Sequence, residues 1–261
     1  MHRLLIAALV SLAVVPAGCA GAAGKSSILH PASGQPTTST SAGGKDVTAD
    51  KAAAVSAALT LRDLPPGWTS KPRTGDTRAA TAQADAAACL GVPAALLSTH
   101  TPASSDSPDF TSPDGSETIS SNVSYLATVD AARARFSLID GPKVPECMGG
   151  ALRDIIERAL AHPASGAHSS TLPAGVKVGT PTFRKMPFPS VGDETSAYRF
   201  ELPITYAGRS VTFQEDLVFV RRGRAGINLS FEWTAATPST EQEQHYTEVV
   251  VARLASAAAP S

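Results

Sequence analysis

The chain has 261 residues, and its 22 Lys and Arg side chains nearly balance its 23 Asp and Glu side chains, which gives a formal net charge of −1. Charged residues make up 17% of the composition and form no long run of one sign. We therefore expect neither nucleic acid nor an anionic membrane surface as a partner of the folded part.

The N-terminus has the pattern of an export signal. Arg3 supplies a positive charge, residues 4–15 form an apolar run, and Pro16-Ala17-Gly18 leads into Cys19. The apolar run is well short of the roughly 20 residues that span a bilayer. We therefore expect a cleaved signal and no transmembrane anchor.

Small residues immediately before a cysteine resemble a bacterial lipobox, in which the signal is cleaved before the cysteine and its thiol is lipidated. The resemblance implies a lipoprotein signal peptide over 1–18, a lipid anchor on Cys19 and a position on the extracytoplasmic face of the cell membrane. Two acyl chains are enough for stable anchoring. Pro16 stands where Leu or Val is usual, and the alternative is an ordinary signal peptide cut near Ala20 or Ala22.

The composition changes after the signal. Residues 19–49 are mostly Ala, Gly, Ser, Thr and Pro, with almost no bulky apolar side chain. Such a segment cannot bury enough surface to offset its ordering entropy, so it predicts a flexible tether. Residues 50–257 have the length of one ordinary domain with its own core, and 258–261 form a tail.

Five stretches of the domain have helical patterns. They are residues 50–61, residues 79–90, and stretches that begin after Thr128, after Cys147 and at Thr240. Both of the first two are rich in Ala, and the last opens with Thr240 and Glu243 at the spacing of a capping box.

Alternation typical of β-strands appears in residues 119–128 and in four segments between Val176 and Trp233. Leu217 to Val220 is continuously apolar, which predicts a central strand covered on both faces. The turns between the segments, such as Ala207-Gly208, are short enough for hairpins. The expected fold is α+β, with an antiparallel sheet of about five strands flanked by helices.

The polar positions of these strands form a candidate ligand-binding surface. In an aligned meander, we expect one polar face to carry Arg199, Glu201, Gln214, Asp216, Asn228 and Glu232. A sheet face between flanking helices makes a natural groove, and the candidate ligand-binding residues are Trp68, Arg199, Glu201, Asp216 and Trp233. The alternative is a wetted face with cross-strand ion pairs, with Trp68 packed against the domain edge.

Cys89 and Cys147 remain as a pair once Cys19 is assigned to the anchor. In an exported protein this pair predicts a disulfide. Two free buried thiols are the alternative. A metal site fits less well, because neither cysteine has a CxxC partner or a closely spaced His.

No catalytic residue, metal ligand or cofactor site is predicted. The string nearest to a nucleophile elbow, residues 208–212, lacks the second glycine, and the six histidines have no zinc spacing. No glycine-rich phosphate loop follows a strand. Asp193 and Glu194 are adjacent carboxylates that point to opposite faces of a strand, so a solvated turn is the favoured interpretation. We expect a protein that is not an enzyme and needs no cofactor.

Several short motifs resemble one known group of proteins. They are the lipobox-like residues 16–19, the turn Leu64-Pro65-Pro66-Gly67-Trp68, Cys89 after an Ala-rich helix, Cys147 after a strand and helix, and the turn Val191-Gly192-Asp193-Glu194. The chain is similar to extracytoplasmic lipoproteins and sensor domains of mycobacteria and related actinobacteria, in particular the sensor domain of the receptor-like kinase PknH. Over residues 52–254 the resemblance implies a PsbP-like arrangement of helices around an antiparallel sheet, and a non-enzymatic role.

These observations lead to three functional hypotheses. The first is a lipid-anchored binding or sensor module of the cell envelope that takes a small or lipid-like ligand in a groove between sheet and helices. The second is a structural protein that docks its sheet face onto another envelope component. The third is an envelope hydrolase whose site has no recognisable motif.

Overall fold

The computed structural model describes residues 46–73, 77–98, 101–161, 176–234 and 239–257. The predicted signal peptide, Cys19, the predicted tether up to residue 45 and the predicted tail lie outside the described residues. Among the helices described, none is long and apolar enough to cross a membrane.

The described residues form an α+β fold. Its helices are α1 (Val47–Ala57), α2 (Thr77–Leu90), α3 (Ala94–Leu97), α4 (Val129–Ile139), α5 (Val144–Ala161) and α6 (Thr240–Ala257). Its strands are β1 (Thr69–Lys71), β2 (Ser104–Asp106), β3 (Asp109–Thr111), β4 (Glu117–Tyr125), β5 (Lys177–Val178), β6 (Thr182–Met186), β7 (Glu194–Tyr206), β8 (Arg209–Arg222) and β9 (Ala225–Trp233). The first helix begins at Val47, inside the predicted tether, because the Asp46 side chain accepts a hydrogen bond from the Thr48 amide at 2.9 Å and caps it.

All nine described strands pair antiparallel in one sheet of order β1-β3-β4-β9-β8-β7-β5, with β2 also on β4 and β6 also on β7. The predicted meander is confirmed in β7, β8 and β9. Tight turns join them: Ala207 and Gly208 have φ of 51° and 76°, as a two-residue hairpin requires. The central position of β8, between β7 and β9, agrees with its continuous apolar run.

The predicted count of about five strands is too low. The strands β1, β2 and β3 have three residues each, and the latter two lie between His100 and Glu117, where a composition of Ser, Asp, Pro and Thr predicts a loop. These short strands form because their backbones hydrogen-bond to a neighbouring strand, and not because their own side chains favour a strand. Strands this short leave no readable alternation.

The sheet has two covered faces, which we call the front face and the back face. Helices α1 and α6 pack on the front face, where the largest apolar cluster includes Leu229, Phe231 and Val250. Helices α4 and α5 lie on the back face. There, α5 side chains such as Leu152 pack against Phe200. Since side chains alternate along a strand, each strand contributes to both faces.

The predicted disulfide is present between Cys89 in α2 and Cys147 in α5, with a Cα–Cα distance of 5.5 Å. It ties together two helices that also pack on each other through Ala86 and Ile155. The bond spans a sequence separation of 58 residues. Closing a loop of that length stabilises the folded state by about 4 kcal/mol in the chain-entropy account.

A glycine turn fixes the start of β7. Gly192 has φ of +77°, and a Cβ there would lie 2.6 Å from Val220 Cγ1 and 2.9 Å from the Arg221 carbonyl oxygen. The following Asp193 accepts from the Gly223 amide at 2.8 Å, which links this turn to the β8–β9 turn. Only glycine fits such a close approach in this backbone conformation.

Candidate functional site

The five residues predicted to bind a ligand all lie on the front face or in its apolar cluster. Trp68 and Trp233 are buried in that cluster. Arg199 donates two hydrogen bonds to Asp216, from Nε to Oδ1 at 2.7 Å and from Nη2 to Oδ2 at 2.6 Å. Glu201 stands apart from this pair and lies 3.6 Å from Arg184 at a more exposed position. The cross-strand ion pairs of the alternative interpretation are present here as Arg199–Asp216 and Arg184–Glu201, but Asp216 is fully buried, so the first pair is not solvated.

Helix α6 covers this part of the front face and brings Glu243 against Asp216. Glu243 is also fully buried, and in its charged form both carboxyl oxygens would lack a donor among the described residues. Burial, followed by the neighbouring Asp216 carboxylate, raises the pKa of Glu243 to about 9. The predicted capping box of Thr240 and Glu243 is wrong: Ser239 caps α6, since its Oγ accepts a hydrogen bond from the Gln242 amide at 3.2 Å, and the Glu243 side chain is fully buried.

Two residues expected on the same polar face lie on the opposite one. Asp216 pairs with Phe231 in the β8–β9 register, and both point to the front. Alternation therefore turns Asn228 and Glu232 to the back. The register between β8 and β9 decides which polar residues share a face, and the sequence alone does not show that register.

A polar stripe runs along the back face over β4, β9 and β8. It consists of Ser120, Asn122, Ser124, Asn228, Ser230, Glu232 and Glu215, most of them buried. The elements covering the back face enclose this stripe, so its side chains do not form an ordinary solvated surface. Buried polar groups need partners within the protein or from a ligand.

One end of the stripe opens into a cleft between α4 and the sheet. The cleft is shallow: it encloses about 30 Å³, which is room for about two water molecules, and the rest of it is open to solvent. Its polar lining is Asn122, Ser124, Arg135, Arg221 and Asn228, and its apolar lining includes Leu126, Phe136, Ile139 and Phe219. A concave site with apolar walls and a few convergent polar groups is typical of small-molecule binding.

Arg135 of α4 is the unusual member of the cleft. It is 8% exposed, its Nε has no hydrogen-bond partner, and its Nη1 lies 3.5 Å from Ser124 Oγ. No carboxylate among the described residues forms an ion pair with it. Burial alone lowers the pKa of its guanidinium to about 10, so the side chain is still charged at neutral pH.

The second arginine of the cleft, Arg221, is buried to a similar degree but has counter-ions. Its Nη1 donates to Asp193 Oδ2 at 3.0 Å, and its Nε donates to Glu194. The two adjacent carboxylates predicted to form a solvated turn therefore neutralise this arginine. Arg135 is left as the uncompensated positive charge of the cleft lining.

The amides of Asn122 and Asn228 face each other across β4 and β9, where the two residues are direct partners. Asn122 Nδ2 donates to Asp106 Oδ1 at 2.9 Å, which fixes the orientation of that amide. The Oδ1 atoms of both residues are buried without a hydrogen-bond partner. They are acceptors without a donor next to the cleft, although solvent does not reach them.

The other end of the stripe is acidic. Glu215 and Glu232 pair across β8 and β9, and Ser230 Oγ donates to Glu215 Oε1 at 2.8 Å. Burial raises the pKa of Glu215 to about 7, and burial with the Glu215 charge raises the pKa of Glu232 well above its ordinary value. Arg73, which is ion-paired with Asp109 at 3.1 Å, lies close enough to oppose both shifts.

Within the ranges that the structure describes, no group of His, Cys, Asp and Glu side chains could hold a metal ion. The cleft lining contains Ser124 but neither a cysteine nor a histidine. What it offers is one buried cation, amide acceptors and apolar walls.

Sequence reasoning missed Arg135, although a signal for it exists. The residue follows Ala132 by three positions and precedes Ile139 by four, so it falls on the buried stripe of α4. A charged residue within an apolar helical stripe indicates either a buried ion pair or a binding site.

The chain matches no family model, and no curated protein matches it significantly.

Proposed function

We propose that this protein is a non-enzymatic binding or sensor lipoprotein of the cell envelope that takes a small anionic ligand in the cleft between α4 and the sheet. The observation that carries the proposal is the buried Arg135 guanidinium without a counter-ion. A charge held in this way costs several kcal/mol of stability unless something pairs with it. An anionic ligand would supply that pair through charge-assisted hydrogen bonds.

The location forms part of the same proposal. The lipobox-like residues before Cys19 support a lipid anchor, and the Cys89–Cys147 disulfide fits an oxidising compartment outside the cytoplasm. The resemblance to PknH-like sensor domains supports a role in recognition. The anchored domain would bind its ligand at the outer face of the cell membrane.

Native mass spectrometry of the full chain, purified in detergent from an actinobacterial host, tests this function. We expect a stoichiometric anionic molecule that is retained by the natural protein and lost from Arg135→Met. Arg221→Met is the matched control, because it removes a buried arginine of the same cleft that already has counter-ions. The proposal is overturned if the natural chain carries no such molecule and no added small anion raises its unfolding temperature.

A further inference from the structure

We propose that Glu215 and Glu232 form a pH-sensitive switch that controls how tightly the edge strands β1 and β3 close over the acidic end of the polar stripe. The switch is independent of the anion proposed for the cleft, which lies at the other end of the stripe. Three observations carry it: the position of the two glutamates, the shortage of positive charge around them and the short pairing of the edge strands.

The two glutamates are direct cross-strand partners on the back face of β8 and β9. The Cβ atoms of such partners are about 4.5–5.5 Å apart, so the two carboxyl groups lie within reach of each other. Glu215 is 3% exposed and Glu232 is 6% exposed. Two buried carboxylates this close repel each other and lose their hydration, so the pair keeps a proton at a pH where an exposed carboxyl is ionised.

The positive charge near this pair is shared with other carboxylates. Among the described residues, the one cation that acts on both glutamates is Arg73. Its Nε lies 3.1 Å from Asp109 Oδ1, and its Nη1 lies 4.0 Å from Asp106 Oδ1. Lys71, at an exposed position in β1, acts on Asp109 as well. Two cations therefore face four carboxyl groups, and full ionisation would leave the acidic end negative.

The surrounding elements do not supply the missing charge. Asp216, on the front face of β8, adds negative charge close to Glu215, and Arg135 of α4 lies at the other end of the stripe. The remaining charged side chains described in α2 and α5 are half-buried or exposed; they are Asp85, Glu146, Arg153, Asp154 and Glu157. Because burial raises the pKa of Glu215 to about 7, we expect the pair to lose a proton near neutral pH.

The edge of the sheet next to this pair is held by few backbone contacts. Strand β1 has three residues and pairs with β3 alone among the described strands, and β3 pairs with β4 over two residue pairs. Arg73 follows two positions after β1, so a movement of β1 carries the counter-ion with it. Opening this edge lets water reach an ionised glutamate, which removes the cost of keeping that charge buried.

The direction of the switch follows from proton linkage. A hydrated glutamate in the open form has an ordinary pKa near 4.5, whereas burial raises the pKa of Glu215 to about 7 in the closed form. Between these values the closed form holds a proton that the open form has lost. Each such proton makes the open form about tenfold more populated per pH unit, so the edge is closed in acid and loosens toward neutral pH.

Hydrogen exchange of the full chain in detergent, followed by mass spectrometry from pH 5.5 to 8.5, tests the switch. After correction for the intrinsic pH dependence of amide exchange, we expect the protection of β1 and β3 to fall at least tenfold from pH 5.5 to 6.5. Glu215→Gln cannot ionise but still offers Ser230 an acceptor, so it should reduce that change about tenfold. With Glu232→Gln added, the protection should no longer depend on pH.

Two further variants keep the test decisive. Glu243→Gln is the matched control, because Glu243 is a buried carboxyl with a raised pKa on the front face, and it should leave the response of β1 and β3 unchanged. If the double variant does not fold, Arg73→Met replaces it. Loss of this cation raises the pKa of both glutamates further, so the protection curve should move to higher pH.

Three results would overturn the switch. The first is a change of less than threefold in the protection of β1 and β3 from pH 5.5 to 6.5 in the natural chain. The second is a pH dependence that survives in the double variant or disappears in Glu243→Gln. The third is a protection curve that stays in place or moves to lower pH in Arg73→Met.

Discussion

Replacing Arg135 by Met should make the empty protein more stable while it abolishes anion binding. The substitution removes a buried charge that has no counter-ion among the described residues, together with a buried Nε that has no acceptor. The Met side chain has nearly the length of the arginine stem. It can keep the apolar contacts of that stem with the walls of the cleft.

The expected change in the free energy of unfolding follows from the chemistry of the group that is removed. Leaving one buried polar group unsatisfied costs about 1–3 kcal/mol, and more if the group is charged. Because Arg135 is 8% exposed and lies in an open cleft, water at the mouth relieves part of that cost. We therefore expect Arg135→Met to raise the free energy of unfolding by about 1–3 kcal/mol, or the unfolding temperature by about 2–4 °C for each kcal/mol.

Urea unfolding at pH 7, followed by circular dichroism, measures the difference in the free energy of unfolding between the natural protein and the variant. Arg221→Met is the control. That variant removes an equally buried arginine, but it breaks hydrogen bonds to two carboxylates. Those carboxylates are about one-third exposed and can be rehydrated. We expect Arg221→Met to lower the free energy of unfolding by about 1–3 kcal/mol, so the two substitutions should act with opposite sign.

The reasoning would be refuted if Arg135→Met destabilised the protein as much as Arg221→Met does. That result would mean that Arg135 has a structural partner in the folded chain. The cleft would then hold no uncompensated charge, and the proposal that it binds an anion would lose its main support.

Three further predictions concern other parts of the fold. Because burial raises the pKa of Glu243 to about 9, the folded state keeps a proton that the unfolded state loses above about pH 4.5. Stability should therefore fall between those pH values by about 1.4 kcal/mol per unit from this group. Glu243→Gln should remove that slope in urea titrations at pH 5 to 8, and an unchanged slope would contradict a protonated Glu243. Replacing Cys89 and Cys147 by Ser should cost about 4 kcal/mol by the same assay, whereas a loss below about 1 kcal/mol would show that helix packing alone holds α2 to α5. Gly192→Ala should destabilise by more than about 2 kcal/mol because of its close contacts, while Gly208→Ala, with open space around it, should cost only about 1 kcal/mol; equal losses would refute the packing argument.

The parts of the fold that were predictable from sequence are those with local signals. The alternation in residues 197–205, the apolar run at the end of β8 and the turn at Ala207-Gly208 each indicate their own structure, and all three are present. The disulfide was predictable because the two cysteines had few alternatives. The short strands β1 to β3 were not predictable from sequence, because their pairing depends on contacts with other strands rather than on a local pattern.

The candidate site could not be assembled from sequence for a related reason. Alternation in β4 separates Val123 from Asn122 and Ser124, but it does not show whether the polar side faces water or another layer of the protein. That depends on α4, which crosses the polar side and adds Arg135 to it. Similarly, the prediction that Asp216 and Asn228 share a face depended on a register that is set by hydrogen bonding between strands.

The position at which local rules fail is itself informative about function. A charged residue on the buried stripe of α4 and two amide oxygens without donors are each unfavourable in a folded protein, and the residues that carry them all border one cleft. The net stability of a domain is only about 5–15 kcal/mol, so these groups use a considerable part of it. A ligand that satisfies them regains that free energy as affinity and stabilises the folded state in proportion to its concentration. Groups that weaken the empty protein and strengthen the complex are what a binding site requires, which is why Arg135 identifies the cleft better than its size does.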